Sequence, residues 1–151
     1  MERMVKSAAE MQAFGVQIGA LLTGGEVIEL IGDIGAGKTT LTKGIAYGMG
    51  ISDDIQSPTF TISRVYDAPS GLVLAHYDFY RLTDAGIMVA ELHDSVTSPH
   101  TVTVLEWAGI VRGVVPKTAL TLQITSPTET TRTITLQGQG EVVRRLFKGL
   151  E

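Results

Sequence analysis

Apolar residues recur along the chain at two different periods. Met11, Phe14, Ile18 and Leu21 lie three and four residues apart, the spacing of one helix face, with Ser7 and Glu10 at capping-box separation ahead of them and Gly24 and Gly25 placed to stop the run. This predicts a leading amphipathic helix. Residues 26–31 (EVIELI) form a short apolar run rich in branched side chains, which reads as a strand. Leu41, Ile45, Ala46 and Met49 then return to helical spacing before Gly50. Residues 60–66 and 72–80 read as two strands joined by the turn chemistry of DAPSG, a hairpin. In its second arm the period of two puts Leu72, Leu74, His76, Asp78 and Tyr80 on one face and Val73, Ala75, Tyr77 and Phe79 on the other. Thr83 or Asp84 is placed to cap a short helix over 87–93. Residues 101–105 (TVTVL) form another β-branched run, ending in Glu106. Leu120, Leu122 and Ile124 alternate, as do Arg132, Ile134 and Leu136, on either side of an SPT turn, which predicts a second antiparallel hairpin. A closing helix buries Val142, Val143, Leu146, Phe147 and Leu150, with Arg144, Arg145 and Lys148 on a solvated face.

Composition narrows the function. The 151 residues suit a single domain over 1–151. There is no cysteine, which excludes disulfides, thiolate metal sites and a cysteine nucleophile and suits a reducing cytoplasm. Twelve Lys and Arg against 16 Asp and Glu leave a net charge of −4, so the protein is not expected to hold DNA or RNA by phosphate neutralisation alone. Any nucleic-acid role then runs through a partner. No apolar run reaches the roughly 18 residues of a membrane span, and charges interrupt the N-terminal segment too often for a signal peptide. A cytoplasmic protein without a membrane role is the expectation.

The chemistry concentrates in residues 32–40. Gly32 to Thr39 satisfy G-x-x-x-x-G-K-[ST], directly after a predicted strand and opening a predicted helix. Glycines at 32, 35 and 37 let the backbone wrap until successive N–H groups face one point, and the helix N-terminus adds positive potential there. The loop residues Gly32, Asp33, Gly35, Ala36, Gly37, Lys38, Thr39 and Thr40 are therefore the candidate nucleotide-binding set. In such loops the lysine reaches the β- and γ-phosphates and the hydroxyl meets Mg²⁺, roles that fall here to Lys38 and Thr39. A nucleoside triphosphate with Mg²⁺ fits this charge pattern, on a strand–loop–helix unit of an α/β fold.

A nucleotide also needs acids. Asp78 and Glu106 each close a predicted strand, so both reach the phosphate loop if their strands run parallel to the one that precedes it. Asp78 is the candidate Walker-B-like acid, and Glu106 the candidate for orienting water or completing the metal shell with Thr39. Ser57-Pro58-Thr59 reads either as a nucleotide-sensing switch whose Thr59 hydroxyl reaches phosphate or metal, or as an ordinary turn before a strand. His76 reads as a packed, hydrogen-bonded histidine and Trp107 as core or as a cover over the site.

GDIGAGKTTLTKGIAYGMG, SPTFTI, HYDFYRL and LEWAG, in this order and at these separations, resemble the TsaE (YjeE) family of bacterial tRNA threonylcarbamoyladenosine biosynthesis ATPases. The similarity runs from the first helix to the last hairpin. It implies a small α/β P-loop NTPase with a mixed β-sheet flanked by helices and antiparallel hairpins, which binds ATP with Mg²⁺ and hydrolyses ATP slowly by itself. Members act with TsaD and TsaB to place threonylcarbamoyl on the adenosine beside the anticodon, and meet tRNA only through that complex. ATP turnover resets the partners instead of making the carbamoyl bond. It also implies a switch-like role for Thr59, catalytic roles for Lys38, Asp78 and Glu106, and a place for Arg132 near the nucleotide base. Two departures stand out. Residues 83–92 (TDAGIMVAEL) lack the early acidic pair usual in members, and Met11 replaces a frequent threonine on the base side.

A GTPase is disfavoured, because the chain contains no asparagine for an N-K-x-D stretch and no D-x-x-G. A small-molecule kinase shares the loop but needs extra cations around the acceptor, and only seven arginines are scattered here. A nucleotide-dependent binding module without turnover is the remaining alternative.

Overall fold

A computed structural model of the chain describes residues 1–86 and 88–151. Among these residues seven strands form one sheet in the order β1-β7-β6-β2-β5-β4-β3: β1 (Glu2–Val5), β2 (Val27–Ile31), β3 (Ser63–Asp67), β4 (Val73–Asp78), β5 (Thr101–Glu106), β6 (Leu120–Thr125) and β7 (Arg132–Gln137). The helices are α1 (Ala8–Leu21), α2 (Lys38–Gly48), α3 (Met88–Thr97) and α4 (Glu141–Leu150), and a 3₁₀ segment covers Ala108–Val114. The centre of the sheet is parallel: β2 pairs with β5 and β6, and β5 with β4. Hairpins add the antiparallel edges, β3 on β4 and β7 on β6, and β1 pairs antiparallel with β7. The sheet is thus mixed and flanked by helices, as the family resemblance implies.

Strand residues alternate between two cores. Ile28, Leu30, Leu74, Val102 and Val104 face α1, α2 and α4, whereas Val27, Ala75, Tyr77 and Leu105 face α3 and the 3₁₀ segment. This is why β4 is apolar toward both layers except at His76 and Asp78. Ser7 caps α1 by accepting from the Glu10 N–H at 3.1 Å, and the Glu10 carboxylate accepts from the Lys6 N–H at 2.6 Å, a reciprocal cap. α1 then lies on α2 with almost no side chain between them. A Cβ on Gly44 would fall on the carbonyl of Gln12, and one on Gly15 on the carbonyl of Leu41, so the two backbones approach through their glycines.

Several local expectations change. β1 (ERMV) is not signalled by a pattern, because its short, charged sequence gains strand structure only by pairing with β7. β3 starts at Ser63, since residues 60–62 turn back on the Pro58 carbonyl, which accepts from Thr61 and Ile62 N–H. α3 runs on to Thr97, beyond the predicted end at residue 93, and the predicted first position, Ile87, lies outside the described residues. On α4, Val143, Leu146 and Leu150 are buried but Val142 is exposed and Phe147 only partly covered. Arg145 does not simply face water: it donates to the Leu21 carbonyl at 2.6 Å and to buried Glu26 at 2.8 Å. Glu26 also accepts from Thr23 and Gly24 N–H, so this carboxylate is fully engaged.

Candidate nucleotide and metal site

β2 carries the chain into the phosphate loop at the carboxyl end of the parallel strands, where α/β sheets gather ligands. Gly35 (φ 83°) and Gly37 (φ 109°) adopt left-handed backbone that a side chain would strain. Gly37 is the N-cap of α2 and offers no side-chain oxygen, so the first N–H groups of that helix are open to an anion. The Lys38 ammonium curls back over the loop. It donates to the Gly32 carbonyl at 2.7 Å, lies 3.8 Å from Glu106 Oε1, and sits 4.2 Å from the centre of the Trp107 ring. Burial pushes its pKa below the ordinary lysine value, while Glu106, Asp78 and Asp33 work against that fall.

The two acids meet through strand register. Asp78 and Glu106 are partners across β4 and β5, and Glu106 is also the partner of Leu30 on β2. Both carboxylates are buried. Asp78 Oδ2 accepts from the Thr59 hydroxyl at 2.7 Å and Oδ1 from the Tyr80 N–H at 2.9 Å. Thr59 is itself 2.8 Å from the Ser57 hydroxyl. The SPT segment therefore closes on the acid at the end of β4. Glu106 Oε2 is 2.6 Å from His76 Nε2. Trp107 (φ 54°) turns the chain out of β5 in left-handed backbone and brings its ring over Lys38 and against Tyr80.

The phosphate loop separates two cavities. One, of about 420 Å³, is bordered by Lys38, Thr39, Thr59, Asp78 and Glu106. The other, of about 370 Å³, lies between the loop and α1 and is bordered by Met11, Gly35, Ala36, Gly37, Thr40 and Arg132. Arg132 is held there by donating to the carbonyls of Thr128, Glu129 and Thr131, on the side away from the acids. Gly32 and Asp33 line a third cavity of about 480 Å³ shared with Trp107 and Arg112. Arg112 makes a bidentate pair with buried Glu29 that sequence reasoning missed, because the partners lie 83 residues apart. Tyr80 and Arg81, which lie in the HYDFYRL segment without a role assigned from sequence, and Ile34, a variable position of the loop, also border the cavity that holds the acids.

Among the described residues no group of three His, Cys, Asp or Glu side chains could hold a metal by itself. The donors that do converge are a threonine hydroxyl and carboxylates. That all-oxygen set fits Mg²⁺, which takes one or two carboxylates and completes its shell with phosphate oxygens and water.

Residues 5–134 match the family described as threonylcarbamoyl adenosine biosynthesis protein TsaE. The chain belongs to the TsaE family. It is 36% identical over 141 residues to the TsaE protein of Bacillus subtilis, covering 93% of this chain and 87% of that one. With the TsaE protein of Treponema pallidum it shares 34% identity over 131 residues, or 87% of this chain and 96% of the relative. The Streptomyces coelicolor TsaE protein is 39% identical over 98 residues, 64% of this chain and 66% of the relative. The crystal structure of Bacillus subtilis YdiB superposes with a TM-score of 0.81 at 30% identity, covering 99% of this chain and 93% of that one. The fold is thus that of a TsaE-family P-loop ATPase.

Proposed function

We propose that the protein binds Mg²⁺-ATP across the phosphate loop and hydrolyses it slowly, as the accessory ATPase of tRNA threonylcarbamoylation. It acts on a complex of TsaD and TsaB homologues and meets tRNA only through that complex, in the cytoplasm. Among the described residues no helix is long and apolar enough to cross a membrane. The observation that carries the reading is the convergence of Lys38, Thr39, Thr59, Asp78 and Glu106, drawn from four separate segments, on one cavity beside the loop.

In this reading the N–H groups of residues 35–40 cradle the phosphates, with Gly32 and Asp33 shaping the entry to the loop. Lys38 leaves the Gly32 carbonyl for the β- and γ-phosphate oxygens, a stronger charge-assisted partner. Thr39 and Asp78, with Glu106 beside them, would hold Mg²⁺, which when bound would supply charge neutralisation at the γ-phosphate. Thr59, already bonded to Asp78, exchanges that partner for the metal or the phosphate and so reports whether a triphosphate is present. Glu106 orients the attacking water. Arg132 and Met11 border the base side.

The test is multiple-turnover tRNA modification in a mixture of TsaD, TsaB and TsaC homologues with tRNA and ATP. Omitting this protein or supplying Lys38→Ala is expected to stop turnover after the first cycle, and Lys38→Ala is expected to lose ATP binding by calorimetry. Modification that ignores the lysine change overturns the function. Phosphate release that persists at the parent rate in Glu106→Gln removes the role assigned to Glu106.

A further inference from the structure

The His76 side chain is fully buried on β4, one strand in from the sheet edge, and among the described residues its one side-chain hydrogen bond ties Nε2 to Glu106 Oε2 at 2.6 Å. A carboxylate only accepts, so the hydrogen of this bond is on Nε2. The bond occupies one oxygen of Glu106 and leaves the other, Oε1, as the oxygen 3.8 Å from Lys38 Nζ on the phosphate-loop side. We propose that His76 is a positioning residue: by holding Oε2 from behind, it presents Glu106 Oε1 alone, in one orientation, to the water that attacks ATP. The proposal rests on the reading of Glu106 as the group that orients this water.

A second observation points the same way. Two buried side-chain nitrogens find no hydrogen-bond partner among the described residues, His76 Nδ1 and Arg64 Nε. They belong to residues directly opposite each other in the β3–β4 ladder, so both side chains rise from the same face. The arginine nitrogen can only donate. Nδ1 makes no bond that requires a hydrogen, which agrees with the hydrogen lying on Nε2, where Glu106 accepts it.

A histidine that merely filled the sheet could be replaced by an apolar side chain of similar size without changing turnover. A positioning histidine could not, because a free Glu106 carboxylate would rotate among orientations of which few are productive. Supporting partners of this kind are worth on the order of tenfold to a hundredfold in activity. The experiment compares steady-state ATP hydrolysis and ATP affinity in His76→Leu, His76→Gln and His76→Asn, each alone and with Glu106→Gln. His76→Leu is expected to lower kcat by roughly tenfold to a hundredfold with the ATP Kd within about twofold of the parent. Glutamine, whose amide N–H reaches the Nε2 position, is expected to restore most of the loss. Asparagine, one methylene shorter, is not. In the Glu106→Gln background none of the three should cost anything further.

Parent turnover in folded His76→Leu overturns the proposal, as does an equal loss with and without Glu106→Gln. If the leucine chain does not fold, the glutamine–asparagine pair decides, since equal kcat in the two overturns it. A Glu106→Gln chain that hydrolyses ATP at the parent rate overturns instead the reading of Glu106 on which the proposal stands.

Discussion

Lys38 is pulled three ways, by the Gly32 carbonyl, by Glu106 and by the face of Trp107. A triphosphate offers its ammonium a stronger partner than any of these. Binding is therefore expected to draw Lys38 off the ring of the only tryptophan in the chain and change its fluorescence. Titration with ATP should give a saturable signal in the parent and none in Lys38→Ala, and a silent parent would count against the movement of Lys38. The pairing of Glu106 with Trp107 is plain in the sequence, as is the lysine of the loop. That the indole returns over that lysine is not, because it depends on left-handed backbone at Trp107, which no residue pattern announces for a non-glycine residue. The same limit hid the His76–Glu106 bond. Alternation puts His76 on the face of Asp78, but only register brings it to an acid on the next strand.

Between elements, the contact of α1 with α2 controls how the two walls of the base-side cavity sit. Met11 comes from α1, Gly37 and Thr40 from the loop and α2, and all three border that cavity. Gly→Ala inside a helix ordinarily stabilises by about 1 kcal/mol. At Gly44 the sign should reverse, since the added Cβ meets the Gln12 carbonyl and forces the helices apart, an overpacking cost of about 1–3 kcal/mol. Gly44→Ala is expected to lower the thermal midpoint by a few degrees and to weaken ATP binding as Met11 moves away from the loop. A midpoint at or above that of the parent would refute the close approach. The apolar stripes of both helices were readable from their spacing. The glycine seam was not, because Gly15, Gly19, Gly44 and Gly48 become neighbours only once the crossing of the helices is known.

Across the whole molecule, the strand–loop–helix order and the two hairpins were legible because each is written in local periodicity. Strand order was not, and neither were β1 and the Arg145–Glu26 pair, which join distant parts of the chain. Arg145 is 42% exposed, so its pair with Glu26 is screened; Arg145→Met is expected to cost about 1 kcal/mol in urea unfolding and to leave ATP affinity unchanged. An altered affinity would mean that α4 is coupled to the loop. Topology also supplied what spacing could only make conditional, the parallel course of β2, β5 and β4 that brings both strand-end acids to the loop. Asp78 and Glu106 share one rung of that ladder, about 4.8 Å of backbone spacing apart. The interval between the two acidic groups is thus gauged by main-chain amides and not by the choice of neighbouring side chains. A single-residue insertion within β5 would swing Glu106 to the opposite side of the sheet, whereas drift among the apolar core residues leaves the backbone interval between the two acids unchanged.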